Sequence, residues 1–133
     1  MRGIQIAPAV EAEAEQIHAG LRAYNRGHIF DSADLSFVAR DGQGAVLGGV
    51  EAWRVGDYAM VDVLWVDESR RGAGLGRALL ETAERTARDQ GVRHITLNTF
   101  RFQAPGFYEK QGYRLFGEIP CADGNHCFYV KEL

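Results

Sequence analysis

The sequence is poor in the residues on which small secreted or metal-bound folds depend. Its only cysteines, Cys121 and Cys127, are too few for a disulfide framework and are not spaced like zinc ligands. No cluster of His, Cys and carboxylate residues predicts a metal site. No apolar run is long enough to cross a bilayer, and no apolar signal segment opens the chain. We therefore expect a cytoplasmic protein without a membrane partner.

The sequence also lacks an excess of positive charge. Its formal net charge is −3, whereas nucleic-acid-binding domains usually carry a basic excess, so no nucleic-acid partner is expected. What is present is ordinary globular composition: 133 residues, of which 46% are hydrophobic and 25% charged. That length suffices for a core without disulfides or metals. Because no repeat or linker interrupts it, we predict a single domain over residues 1–133.

Hydrophobic periodicity predicts a mixed α/β fold. Short or alternating apolar runs bounded by turn residues predict strands at 4–6, 35–40, 45–53, 58–66, 94–99, 113–119 and 126–132, with a loop at 25–34. Apolar spacings of three and four predict helices that start near Pro8, at Leu75 and near Gln103. The expected sheet of about seven strands is antiparallel on its N-terminal side, has one parallel β-α-β crossover, and is flanked by about three to four helices.

The helix that starts at Leu75 has an apolar stripe on one side. Its members recur every four residues: Leu75, Leu79, Ala83 and Ala87. The other side carries two acid–base pairs, Glu81 with Arg85 and Glu84 with Arg88. Pairs at this spacing are typical of a solvated helix surface, so we predict that this side is exposed.

A glycine-rich turn joins the strand at 58–66 to this helix and predicts a phosphate site. The first N–H groups of a helix have no partner within it, and its dipole places partial positive charge there. Glycines remove the Cβ atoms that would keep a phosphate at a distance. The turn holds three glycines and is surrounded by three arginines: Gly72, Gly74, Gly76, Arg70, Arg71 and Arg77.

Two common nucleotide-binding motifs fit this turn poorly. In a dinucleotide fingerprint the third glycine stands one position later, and the motif comes early in a chain of repeated βαβ units. Here the turn follows three antiparallel strands. A P-loop requires Gly-Lys followed by Ser or Thr, which this turn does not contain.

Two segments carry a resemblance to a known family. Arg-Gly-Ala-Gly-Leu-Gly at 71–76 matches the signature Arg/Gln-x-x-Gly-x-Gly/Ala, and Phe-Tyr-Glu-Lys-Gln-Gly-Tyr at 107–113 matches a second family segment. The chain resembles the GCN5-related N-acetyltransferases (the GNAT superfamily) from near residue 2 to its end. The segments at 99–105 and 124–126 are similar to a bacterial subgroup whose substrates are mostly unassigned.

The resemblance implies that acetyl-CoA binds at the turn. Its pantetheine arm is expected along the backbone of Leu64, Trp65 and Val66, and its pyrophosphate on the amides of the turn. The further cofactor-binding residues that the resemblance implies are Arg71, Gly72, Ala73, Gly74, Leu75, Gly76, Arg77, Asn98, Ala104, Phe107 and Tyr108. Many relatives have an Asn where this chain has Arg101, which cannot accept a hydrogen bond. Asn98 is the substitute we predict.

The implied reaction is acetyl transfer to a primary amine by direct attack in a ternary complex. Tyr108 takes the family's general-acid position beside the leaving sulfur; the alternative is a half-buried helix aromatic. Asp62 is the only carboxylate in an otherwise apolar strand, and we expect it to be buried. It is the first candidate for general base or ammonium ligand, against a structural hydrogen bond. Glu51 is the second, against a solvent-facing strand residue.

The acceptor side is expected after the first helix and at the final hairpin. Tyr24, Asn25, His28 and Phe30 are candidates for a polar and aromatic pocket, with His126 from the hairpin. We expect a small-molecule amine, an amino acid or a peptide terminus as substrate. A non-catalytic acyl-CoA-binding or sensor module is the alternative. Exposed edges in the final strands leave a homodimer open.

Overall fold

The structure is a computed structural model that describes residues 2–29, 31–100, 103–122 and 124–133. These residues belong to two compact units, one up to Asp31 and one from Ser32 to the C-terminus. Within them, no helix is long and apolar enough to cross a membrane. No group of three or more His, Cys, Asp or Glu side chains in these ranges is placed to hold a metal ion.

The first unit contains one helix, α1 (Glu11–Asn25). The Val10 backbone N–H donates to Glu13 Oε1 at 2.9 Å, which satisfies one of the amide groups that a helix start leaves unpaired. The predicted helix is therefore present, although it begins at Glu11 rather than at Pro8. The predicted strand at 4–6 is wrong: among the described residues of this unit, positions 4–6 belong to no strand, and Ile4 and Ile6 are exposed.

The second unit is built on one mixed sheet. Its strands are β1 (Ser32–Asp34), β2 (Phe37–Arg40), β3 (Val46–Val55), β4 (Tyr58–Val66), β5 (His94–Phe100), β6 (Arg114–Cys121) and β7 (Gly124–Glu132). Its helices are α2 (Leu75–Asp89) and α3 (Pro105–Lys110), with a 3₁₀ turn at Glu68–Arg70. The described strands form a seven-stranded sheet of order β1-β3-β4-β5-β7-β6, with β2 also paired to β3. The predicted mixed sheet is confirmed.

One of the seven strands differs from the prediction. Residues 25–34 were expected to form a loop, but Ser32 lies opposite Val55 and Asp34 opposite Trp53 in an antiparallel ladder. Ser and Asp have low intrinsic strand propensity, so the local pattern gives no sign of this strand. Pairing with the long β3 determines it.

A hydrophobic core holds α2 against the sheet. Leu80 and Ala83 of α2 are buried with Ile95 and Leu97 of β5 and Tyr129 of β7. Replacing a fully buried Leu such as Leu80 with Ala typically costs about 2–5 kcal/mol of stability. This packing anchors α2, whose first residue is joined to the end of β4 by the glycine turn.

β4 and β5 are parallel neighbours that separate after a short ladder. Their pairing runs only from Tyr58 opposite His94 to Met60 opposite Thr96. β4 continues to Val66, whereas β5 pairs along its whole length with β7. A gap therefore opens between the C-terminal halves of the two parallel strands.

A β-bulge in β4 stands where the gap begins. On β3, Glu51 lies opposite Val63 and Ala52 opposite Val61, so Asp62 is the extra residue. A bulge bends its strand and increases the local twist. The bend accounts for the parting of β4 from β5 and presents the Asp62 side chain at the start of the gap.

Candidate active site

The gap between β4 and β5 forms a cavity of about 630 Å³. The structure brings many of the sequence-predicted residues to its walls: Asp62, Leu64, Trp65, Val66, Arg71, Asn98, Ala104 and Tyr108. The remaining lining residues are Val61, Val63, Leu97, Thr99 and Gln103. Side chains from both parted strands, the turn and α3 therefore face one space.

The backbone of β4 supplies an open hydrogen-bonding edge to this cavity. Asp67 N–H donates to Leu47 O at 2.8 Å, so the backbone groups of Asp67 point toward β3. Since successive residues of a strand direct their backbone groups to opposite sides, those of Leu64 and Val66 point into the gap. The Arg71 Nε–H donates to Val66 O at 3.0 Å, which agrees with that direction. An extended ligand can pair along this edge as another strand would.

The glycine turn adopts a backbone that other residues rarely reach. Gly72 has φ +83° and Gly74 φ +87°, both in the left-handed region. A Cβ built on either residue would meet no atom within 4 Å, so this side of the turn is open. Gly74 is the N-cap of α2 and provides no side-chain cap. Most helices have a capping side chain here.

The uncapped start of α2 leaves amide groups for an anion. The first hydrogen bond of α2 runs from Ala78 N–H to Gly74 O at 3.0 Å. The N–H groups of Leu75, Gly76 and Arg77 precede it and have no partner within the helix. These amides and the positive end of the dipole suit a phosphate, and the open glycines let one approach closely. The residues present therefore fit the pyrophosphate of acetyl-CoA.

The arginines of the turn have different partners. Arg71 bonds the end of β4, as described, whereas Arg77 Nε donates to Glu81 Oε1 at 2.8 Å. The Arg77 hydrogen bond, and to a smaller extent the charge of Arg85, hold the pKa of the Glu81 carboxyl below its usual range, so the predicted partner Arg85 acts on Glu81 as well. Asp67 caps the 3₁₀ turn, accepting bonds from the hydroxyl and amide of Ser69, and these bonds hold the pKa of its carboxyl below the usual range.

Tyr108 contributes a phenol side chain to the wall of the cavity. It is half-buried on α3, and this burial raises its pKa above the ordinary value of a tyrosine. The hydroxyl therefore remains protonated through the neutral pH range, which a proton donor requires. The ring is enclosed by three aromatic rings: Phe107 at 5.1 Å, Tyr113 at 6.0 Å and Tyr129 at 6.4 Å between centroids.

Phe107 and Gly76, which the resemblance placed at the cofactor, lie close to each other and do not line the cavity. Phe107 packs against the core. A Cβ on Gly76 would lie 3.5 Å from Val66 Cγ2 and 3.7 Å from Phe107 Cζ. The bare Gly76 thus lets the start of α2 sit close to both β4 and α3. The structure gives this pair a packing role.

Asp62 differs from its prediction in one respect. The expected burial is wrong, because Asp62 is exposed at the bulge and opens on the cavity. It accepts a hydrogen bond from Trp53 Nε1 at 3.1 Å. Glu51 is also exposed but does not line this cavity. It lies on a shallow groove of about 390 Å³ that shares Val63 and Trp65 with the cavity wall.

Asn98 and His126 are joined at the other wall. His126 Nε2 lies 2.9 Å from Asn98 Oδ1, and Asn98 lines the cavity. The imidazole stacks on Phe100, with centroids 4.4 Å apart and rings inclined by 19°, and contacts Phe128 at 4.6 Å. His126 therefore fixes the orientation of the Asn98 amide, a link that their separation in sequence does not reveal.

The other acceptor-side candidates lie in the first unit or outside the described residues. Tyr24 and Asn25 end α1, and the rings of Tyr24 and His28 are 4.7 Å apart. The carbonyl of Asn25 accepts the His28 N–H at 2.9 Å, which closes the turn after the helix. Phe30 and Arg101 lie outside the described residues. The substrate role of these residues stays a prediction.

Glu84 has contacts that its position in the sequence did not predict. Its predicted exposure beside Arg88 is wrong: it is 3% exposed and accepts hydrogen bonds from the Tyr113 hydroxyl at 2.7 Å and Lys131 Nζ at 2.9 Å. A signal was present, since Glu84 stands four residues after Leu80 and three before Ala87, in register with the buried stripe.

This chain is similar in sequence and fold to known proteins. The acetyltransferase (GNAT) family model matches residues 5–113. Blasticidin-S acetyltransferase of Streptomyces morookaense is 36% identical over 117 residues, covering 85% of this chain and 86% of that protein. The crystal structure of an acetyltransferase from Bacillus cereus ATCC 14579 is 34% identical, covers 100% of both chains and has a TM-score of 0.75.

A more distant structure has the same fold. An acetyltransferase from Bacillus anthracis str. Ames, crystallised in complex with acetyl coenzyme A, is 20% identical with a TM-score of 0.67 and covers 81% of this chain and 67% of its own. Three findings support one assignment: the glycine turn, the open edge of β4 and the extent of the family match. The chain belongs to the acetyltransferase (GNAT) family and is an acetyl-CoA-dependent acetyltransferase.

Proposed function

We propose that this protein acetylates a primary amine of a small molecule, an amino acid or a peptide terminus, by direct attack in a ternary complex. The observation that carries the proposal is the position of Asp62 and Tyr108 on one cavity, beside the open edge of β4. A carboxylate and a protonated phenol are the two proton-handling groups that the reaction needs.

Acetyl-CoA supplies an acetyl group activated as a thioester. The amides at the start of α2 and the Arg71 guanidinium would bind its pyrophosphate, and the backbone of Leu64 and Val66 would pair with the pantetheine arm. Asn98 and Ala104 form the opposite wall. The backbone N–H near Val66 stabilises the charge that develops on the carbonyl oxygen.

Asp62 prepares the acceptor. One carboxylate oxygen, Oδ2, accepts the Trp53 indole N–H, which leaves Oδ1 for the incoming ammonium. Asp62 takes a proton from this nitrogen directly or through water, and the neutral amine forms a bond to the carbonyl carbon. As the carbon–sulfur bond would break, the Tyr108 hydroxyl would donate its proton to the departing sulfur, and the resulting phenolate would regain, through water, the proton that the nitrogen loses as the amide forms. Glu51 is the second candidate for the base.

A small acceptor fits best. The similarity to blasticidin-S acetyltransferase extends over most of both chains, and that relative is named for a small-molecule substrate. We place the acceptor between Asp62 and the Asn98–His126 pair. We further propose that residues 1–133 act as one acetyl-CoA-binding domain in the cytoplasm. The exposed Phe116 and Ile119 of the edge strand β6 favour a homodimer.

The experiment is a screen for amine-dependent release of CoA. Acetyl-CoA is combined with blasticidin S, polyamines, amino acids and short peptides, and the product is identified by mass. A gain of one acetyl group on the nitrogen of a small amine supports the proposal. Acetyl-CoA binding without turnover on any amine would favour the alternative, an acyl-CoA-binding module.

A further inference from the structure

Tyr108 sits on a helix that is too short to hold it unaided. α3 has only six residues, and a helix of this length is not stable by itself. We infer that Glu84 is a positioning residue, which acts through Tyr113 to hold the Tyr108 ring so that its hydroxyl faces the cavity. The inference rests on the proposed role of Tyr108 as general acid.

The first link joins Tyr113 to Tyr108. At the end of α3, Gly112 N–H donates to Glu109 O and Tyr113 N–H donates to Tyr108 O, each at 3.1 Å. This pair of bonds is the Schellman motif, in which the residue after the glycine contacts the side chain five positions earlier. Here that contact is edge-to-face between Tyr113 and Tyr108, with an interplanar angle of 77°.

The second link anchors Tyr113 to α2 and β7. Its hydroxyl donates to Glu84 Oε2 at 2.7 Å, and Lys131 Nζ donates to Glu84 Oε1 at 2.9 Å. Lys131 Nζ also lies 5.6 Å from the centre of the Tyr113 ring. Glu84 and Tyr113 are 3% and 4% exposed, so the three groups are fixed in one arrangement.

A parallel support reaches Tyr108 from the sheet. Tyr129 is 1% exposed, its ring contacts that of Tyr108, and its hydroxyl donates to Glu109 Oε1 at 3.1 Å. The Tyr108 ring thus lies between two tyrosines, each bonded to a carboxylate. Both tyrosines therefore support the same ring from buried positions.

The buried Glu84–Lys131 ion pair is better explained by positioning of Tyr113 than by a gain in stability. Apolar residues of similar volume often replace a buried ion pair without loss of stability, so stability alone does not account for the charges. Directional bonds do fix orientation, and a displacement of about 1 Å in a reacting group can lower the rate by roughly 100-fold.

A double-mutant cycle tests the inference. Tyr113→Phe removes one hydroxyl and keeps the ring, and we expect kcat to fall about 10-fold with unchanged acetyl-CoA affinity. In a Tyr108→Phe background the same change should have no further effect on kcat, because the group that it positions is gone. Tyr58→Phe is the matched control: it removes a hydroxyl bonded to Thr96, outside this network, and should leave kcat within about two-fold.

Each outcome decides a different point. An equal fall in kcat in both backgrounds, or no fall in either, would overturn the inference while leaving the role of Tyr108 intact. Wild-type kcat in Tyr108→Phe itself would remove the proposed role of Tyr108 and the inference with it. Glu84→Gln, which keeps an oxygen for the Tyr113 hydroxyl, should retain more kcat than Glu84→Ala, with both assayed where circular dichroism shows them folded.

Discussion

Asp62 accepts a hydrogen bond from Trp53 although the two residues are not partners in the β3–β4 ladder. Trp53 lies opposite Met60, and Asp62 is the residue that the bulge leaves without a counterpart. The indole N–H therefore reaches diagonally to Oδ2 and holds the carboxylate where the gap between β4 and β5 begins. One oxygen is held and the other is available to an amine.

Asp62→Asn should weaken amine turnover and leave acetyl-CoA binding unchanged. The amide has almost the same shape but neither accepts a proton nor attracts an ammonium. We expect kcat/KM for the amine to fall about 100-fold, the lower range for loss of a general base. Initial rates at saturating acetyl-CoA measure this. Glu51→Gln is the comparison, and a larger loss there would move the base assignment to Glu51.

Tyr108→Phe should lower kcat by about 100-fold without changing acetyl-CoA affinity, because only the proton donor is lost. Single-turnover rates and titration calorimetry separate the two effects. A large loss of affinity with unchanged kcat would make Tyr108 a binding residue instead.

The pH dependence of the wild-type enzyme follows from the burial of Tyr108. A general acid works while protonated, so its contribution is lost as pH rises through its pKa. Burial raises the pKa of Tyr108, so this loss should be centred above the ordinary tyrosine value of about 10. The kcat profile at alkaline pH measures it, within the range where circular dichroism shows a folded protein. A decline centred well below pH 10 that Tyr108→Phe abolishes would contradict the assignment.

Gly74→Ala should cost stability and also weaken acetyl-CoA binding. A Cβ at φ +87° costs about 1–2 kcal/mol and projects on the side from which a phosphate approaches. Gly44→Ala is a matched control, with φ +85° and equally open surroundings but in the turn between β2 and β3. Both variants should lower the thermal midpoint by a few degrees. Equal acetyl-CoA affinities in the two would exclude the turn from the binding site.

Local patterns in the sequence predicted the strand, the turn and the helix that form one side of the candidate site, β4, the glycine turn and α2. The apolar run of β4 is bounded by turn residues on both sides, and its predicted limits, 58–66, agree with the structure. The glycines and the stripe of α2 are equally local, because a strand, a turn and an amphipathic helix each have their own spacing. The family segments at 71–76 and 107–113 added the proposed positions of the cofactor and of the general acid Tyr108, which stay predictions.

Features that depend on tertiary contacts were not predictable in this way. The exposure of Asp62 follows from a bulge, which is a mismatch between two strands and is invisible in either alone. The burial of Glu84 depends on Tyr113 and Lys131, which are 29 and 47 residues away. The Asn98–His126 bond likewise requires the register of β5 against β7.

The most direct test of the account is two-substrate kinetics with an amine found in the screen. Initial rates of CoA release are measured over a grid of acetyl-CoA and amine concentrations. Direct attack requires both substrates in the cavity between β4 and β5 at once, so double-reciprocal plots should intersect. Parallel lines, together with an acetylated enzyme detected by mass in the absence of amine, would contradict direct transfer and the roles given to Asp62 and Tyr108.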